Sequence, residues 1–203
     1  MYFYDYQQKN VANEVKFGKT GDYEGVEVVE DEIFVLQSNG IINTFKIEEP
    51  YERKIDCSSP DVKEYEGLSY DPQRQMLLLA AKQRIKDRDD VKMIYGYSLP
   101  NKSLFKYMGI PESQVADESG NKVFMPSGIA VNPENRDVYI LAAQGHKLLV
   151  VAKGGIKKAL IKLDPSIFKQ PEGICFAPDG TLFIASEGDG KAGYILRFQK
   201  KSE

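Results

Sequence analysis

The chain has 203 residues, 42% of them hydrophobic and 28% charged, with 27 basic against 30 acidic residues and a formal net charge of -3. Such a balance suits a packed globular core and excludes disordered, collagen-like and coiled-coil classes. Neither sign of charge forms a long block, which excludes a nucleic-acid surface and a polybasic membrane anchor.

No run reaches the roughly 18 apolar residues of a membrane span, and the opening MYFYDYQQKN lacks the basic and apolar regions of a signal peptide. Its alternation instead resembles the middle of a β-sheet. MYFYDYQ and VANEVKF read as two successive strands, so the chain opens partway through a repeating unit. Four copies of one pattern follow: YEGVEVVEDEIFVLQ, YEGLSYDPQRQMLLLAAK, PSGIAVNPENRDVYILAAQ and PEGICFAPDGTLFIASE. Each has a glycine, an apolar alternation, a turn and a second apolar strand. The turns DPQRQ, NPENRD and APDGT carry the proline, Asn, Asp and Gly that tight turns demand.

Gly25, Gly67, Gly128 and Gly173 mark the repeats at spacings of 42, 61 and 45 residues. Two of the three fit the ~40–45-residue period of a four-stranded propeller blade. The long spacing holds an insertion over 111–125, polar and glycine-containing, expected as a surface excursion. Each repeat supplies an inner strand a, strands b and c, and where the chain allows an outer strand d. The expected fold is all-β: one β-propeller domain of four-stranded antiparallel blades, about five, with six as the alternative. The repeats span about 1–20 (partial), 21–60, 61–120, 121–168 and 169–203 (partial). Either two inner strands of a fifth blade are missing, or the N-terminal strands complete the last blade. An open ring would expose unpaired strand edges.

Cys57 and Cys175 have no CxxC or histidine spacing around them, so neither a zinc site nor a disulfide framework is implied. Cys175 reads as a small buried apolar residue.

The ordered phrases EGLSYDPQRQMLLLAAK, PSGIAVNPENRDVYILAAQGHKLLVV and QPEGICFAPDGTLFIASEGDG resemble the SdiA-regulated (YjiK-like) family of bacterial β-propellers, over residues 22–200. NHL-repeat and phytase-like propellers are more distant relatives. The resemblance implies a periplasmic, cell-envelope or secreted protein of largely uncharacterised activity, and several propeller relatives bind calcium.

Strand a lines the channel of a propeller, so the residue before each repeat glycine should form a ring at its mouth: Glu24, Glu66, Ser127 and Glu172. Three converging carboxylates repel one another unless a cation neutralises them or some stay protonated. Oxygen ligands favour Ca²⁺ over zinc. The expectation is a channel-mouth Ca²⁺ held by Glu24, Glu66 and Glu172 with Asp22 or Glu187 nearby, and Asp189 as a minor ligand. Lys82 could supply the neutralising charge instead, or each Glu could cap its strand against the neighbouring blade. Lys82, Gln144 and Ser127 are candidate ligand-binding residues. His146 is the single histidine, and no serine sits in a nucleophile elbow, which argues against a hydrolytic triad. The expected function is non-catalytic binding of a small molecule or protein at the channel mouth; the alternative is a metal-dependent hydrolase of the lactonase or phosphoesterase propeller type.

Overall fold

The computed structural model describes residues 1–47, 52–83, 90–188 and 190–200. It is an all-β propeller. Three blades have four antiparallel strands in chain order. The first is β3 (Tyr23–Val29), β4 (Glu32–Gln37), β5 (Ile41–Lys46) and β6 (Arg53–Asp56). The second is β7 (Tyr65–Asp71), β8 (Met76–Ala81), β9 (Val91–Ser98) and β10 (Ser103–Pro111). The third is β11 (Met125–Val131), β12 (Val138–Gln144), β13 (Lys147–Val151) and β14 (Lys157–Lys162). The fourth has three strands, β15 (Gln170–Phe176), β16 (Leu182–Glu187) and β17 (Tyr194–Phe198). β1 (Tyr2–Asp5) and β2 (Asn10–Glu14) form a separate two-stranded sheet. They therefore do not complete the last blade. Their hairpin packs between the fourth blade, where Tyr6 meets Phe183 at 5.1 Å, and the first, where Phe3 joins Ile33, Val35 and Phe45.

Period-2 alternation turns one face of each blade towards its predecessor and the other towards its successor. Apolar residues occupy both, so the core is split among the blade interfaces. Phe34, Leu36, Leu68 and Leu77 fill the first interface, Leu78, Ile94, Ile129 and Ile140 the second, and Leu141, Leu148 and Ile184 the third.

The repeat glycines explain how blades approach at their narrow inner ends. A Cβ on Gly25 would lie 2.9 Å from the Leu68 backbone nitrogen, one on Gly67 2.9 Å from that of Ile129, and one on Gly128 2.6 Å from the Glu172 carbonyl oxygen. Real Cβ atoms do not tolerate such contacts with backbone, so glycine is required. Each apolar residue after a glycine, Leu68, Ile129 or Ile174, thus seats against the preceding blade's glycine.

The 111–125 insertion is largely exposed, as expected of a surface excursion, but it is anchored at both ends. It opens with one helical turn, α1 (Glu112–Val115), and buries Val115 and Phe124 in the core between the second and third blades. Residues 118–123 of the insertion are exposed, as are Pro111 and Ser113. Lys147, fully buried at the start of β13, fastens it by donating from Nζ to the carbonyls of Val115 at 3.0 Å and Asn121 at 2.6 Å. Among the described residues no helix is long and apolar enough to cross a membrane.

Cys175 is exposed, contrary to the reading of it as a core residue. Its face of β15 points to where a following inner strand would lie, and no described strand is there. Cys57 is fully buried, and burial pushes its thiol up to about 12. A thiol-specific reagent at about pH 8 should therefore modify one cysteine in the folded protein and both in urea. Reaction of both cysteines without denaturant would contradict this burial pattern.

Candidate functional site at the channel mouth

The four pre-glycine residues share a local geometry. In every inner ladder the register shifts at the glycine: Tyr23 pairs with Gln37 but Gly25 with Leu36, and the same step recurs at Gly67, Gly128 and Gly173. Glu24, Glu66, Ser127 and Glu172 are thus extra residues, displaced from the ladder as β-bulges, which re-aim side chains next to sites. All four lie at the end of the channel where strand b finishes.

The carboxylates feel one another. Burial, then the charges of Glu66 and Asp22, a hydrogen bond with Asp22 and the charge of Glu172, push the Glu24 carboxyl up to about 7. Burial, then Glu187 and Glu66, also raise Glu172, while Lys82 opposes them. Lys82 donates to Glu66 Oε1 at 2.7 Å and lies 3.6 Å from Glu64; these contacts, the Glu66 hydrogen bond first, raise its pKa. Structure thus brings together Glu24, Glu66, Glu172, Asp22, Glu187 and Lys82. The electrostatic coupling is strong, but the arrangement is not a preformed metal centre: among the described residues no three His, Cys, Asp or Glu side chains are grouped to hold an ion. Lys82 occupies Glu66, as the residues themselves allowed. Asp189 lies outside the described residues.

Ser127 lines the channel, but its hydroxyl is committed. It donates to the Pro171 carbonyl at 2.7 Å and accepts from the Ala143 N–H at 2.9 Å, so it ties the third blade to the fourth. Gln144 is exposed at the end of β12, paired in the ladder with Met125. His146 has φ +49° in the β12–β13 turn, and its carbonyl accepts from Leu163 N–H. Sequence reasoning missed Glu64, which joins Lys82 and whose only signal was its place two residues before Glu66.

A carboxyl raised in the folded state contributes stability that is complete below about pH 4.5 and is lost as pH rises through about 7. Wild-type stability should therefore fall between those values, and Glu24→Gln should flatten the decline. Equal slopes in urea titrations of the two proteins would remove Glu24 from the account.

The SdiA-regulated family model matches residues 7–189. No curated protein matches the chain in sequence. Among solved structures, a Bacteroides caccae protein of unknown function is similar at TM-score 0.59 and 14% identity, covering 99% of this chain and 65% of that one. A chain of a nidogen/laminin complex is similar at 0.56 and 15%, covering 87% and 59%. Virginiamycin B lyase from Staphylococcus aureus, solved with quinupristin, is similar at 0.53 and 12%, covering 98% and 62%. This chain spans about three fifths to two thirds of the length of those structures, and at such identities the likeness is one of fold alone.

Proposed function

Because the chain belongs to the SdiA-regulated family, we propose that it is a non-catalytic, extracytoplasmic binding propeller that takes the positively charged group of a small molecule or protein at its acidic channel mouth. The observation that carries this reading is the ring itself. Glu24, Glu66 and Glu172 converge there with one lysine among them; burial and then the neighbouring charges push the Glu24 carboxyl up to about 7 and shift that of Glu172 upward as well. A cation arriving there relieves repulsion and displaces a proton, so binding tightens as pH rises past about 7. The charge excess also raises the rate of encounter with cations.

Ca²⁺ is one such cation, and a lysine-rich peptide is another. Calorimetry at low salt with CaCl₂ and with a trilysine peptide, at about pH 6 and pH 8, tests the reading. The expected result is saturable binding of at least one probe, tighter at pH 8 and at least ten-fold weaker in Glu172→Gln. No heat from either probe at pH 8 would sink it. So would metal-dependent turnover of lactones or phosphoesters that is abolished in Glu172→Gln, since that would make the ring an active site.

A further inference from the structure

The turn between β4 and β5 carries the one Asn-Gly step in the sequence, Asn39 followed by Gly40. Each other asparagine precedes a residue whose side chain crowds the next nitrogen or, at Asn132, a proline without an N–H. Asn39 is exposed. Gly40 is fixed by the fold, since its φ is +89° and a Cβ there would lie 2.9 Å from the Cys57 carbonyl oxygen. No bulkier neighbour can shield Asn39. Its Oδ1 accepts from the Ile41 N–H at 3.0 Å, a donor placed where negative charge develops when the side-chain carbonyl is attacked.

The turn between β15 and β16 has the same hydrogen bonds with an aspartate in that place. Gly180 has φ +82° and donates to the Ala177 carbonyl at 3.0 Å, as Gly40 donates to that of Gln37 at 2.9 Å. Asp179 Oδ1 accepts from the Thr181 N–H at 2.9 Å, as Asn39 Oδ1 does from Ile41. A carboxylate therefore serves this turn as well as an amide. The difference is chemical: the Thr181 backbone N–H, then its hydroxyl, hold the Asp179 carboxyl below the usual carboxylate range, and an ionised carboxylate resists attack.

We propose that Asn39 is a self-modification site, converted by water to aspartate and isoaspartate through a cyclic imide. The Gly40 nitrogen gives its proton to hydroxide and bonds to Asn39 Cγ; the Cγ–Nδ2 bond breaks, and ammonia leaves with a proton from water. Water then opens the imide, with no oxidant or reductant. Opening at Cγ gives aspartate and keeps the turn that Asp179 already makes. Opening at the main-chain carbonyl gives isoaspartate, whose backbone is one methylene longer. That methylene falls between Ser38 and Gly40, whose carbonyls accept from the Tyr65 N–H at 2.8 Å and the Cys57 N–H at 3.0 Å. These bonds tie the first blade to the chain entering the second, and Cys57 is fully buried against the turn. Isoaspartate at position 39 therefore uncovers Cys57, and aspartate does not. This chemistry makes no use of the channel mouth.

Ageing the whole protein at about pH 9 tests the proposal. Conversion replaces a neutral amide by a carboxylate, so anion exchange separates converted from fresh molecules and peptide mapping locates the change. The first converted site should be position 39, faster at about pH 9 than at pH 7 because the Gly40 nitrogen must lose its proton. An isoaspartyl methyltransferase with labelled S-adenosylmethionine should label that position. In the labelled fraction a thiol reagent should modify Cys57 about ten-fold faster or more than in fresh protein. Asn39→Asp, aged alongside, should acquire neither the label nor a reactive Cys57. A first conversion at another residue overturns the proposal. So does isoaspartate at position 39 with Cys57 still shielded, or equal exposure of Cys57 in aged Asn39→Asp.

Discussion

Asp71→Asn is expected to lower the unfolding free energy by about 3–5 kcal/mol, the usual cost of stripping one partner from a buried ion pair. Asp71 ends the inner strand of the second blade, at the channel end opposite the carboxylate ring, and its side chain is 5% exposed. Its Oδ1 accepts from the N–H groups of Gln73 at 3.0 Å and Arg74 at 3.3 Å, which shapes the β7–β8 turn. The same carboxylate binds Arg74 Nη1 at 2.9 Å and reaches across the interface to Arg136 of the third blade. Asparagine preserves the turn but leaves two guanidinium groups without their counter-charge. Urea unfolding measures the loss, and a double-mutant cycle with Arg136→Met isolates the inter-blade part. A single-variant loss under about 1 kcal/mol would mean that water has replaced the carboxylate. Lys200→Met serves as control. Lys200 pairs with Glu134 on the surface, with 61% and 44% of the two side chains exposed, and such pairs contribute about 0–1 kcal/mol.

Lys147→Met should cost about 1–3 kcal/mol, the usual loss for a buried carbonyl left without a donor, because the Val115 carbonyl loses its lysine whereas the Asn121 carbonyl keeps the Asp117 N–H at 3.1 Å. At ~2–4 °C per kcal/mol for a chain of this size, the melting temperature should drop by roughly 2–12 °C. The Lys147 ammonium has three donors, and its three neighbours are the carbonyls of Val115 and Asn121 and, at 3.6 Å, Asp117 Oδ2. Asp117 is held down to about 2, first by the Ser119 hydroxyl, then by the Asn121 N–H and Lys147. Methionine keeps the packing of the stem and removes only the ammonium. Amide exchange should therefore accelerate first in residues 112–124, before the blades open. Uniform acceleration across the third blade would show that Lys147 supports the sheet and not the insertion.

Much of the architecture was legible because the chain repeats its own solution. Gly25, Gly67 and Gly128 announce inner strands because no other residue permits the backbone approach, Gly173 continues their pattern, and the same spacing placed Glu24, Glu66 and Glu172 on one ring. Lys82 was visible as a possible counter-charge. The bulges were not, since the residue pushed out of a ladder has no composition of its own and its neighbours alternate normally. Lys147 was equally hidden: a lysine opening a strand looks like a solvated charge until carbonyls from a distant insertion surround it. Val115 and Phe124 sit singly in a polar stretch, so periodicity had nothing to register. Cys175 failed for the opposite reason. It was read as a small buried apolar residue from its type, and the neighbour that would bury it is not among the described strands.

The division of the core into separate interface clusters has a consequence for how the molecule comes apart. Each cluster joins only adjacent units, so cohesion runs as nearest-neighbour links along a row, and the link between the fourth blade and the first passes through one thin hairpin. A row with one weak coupling frays from that coupling outward. The second and third blades, which share the cluster containing Leu78, Ile140 and Leu149, sit furthest from it and open last.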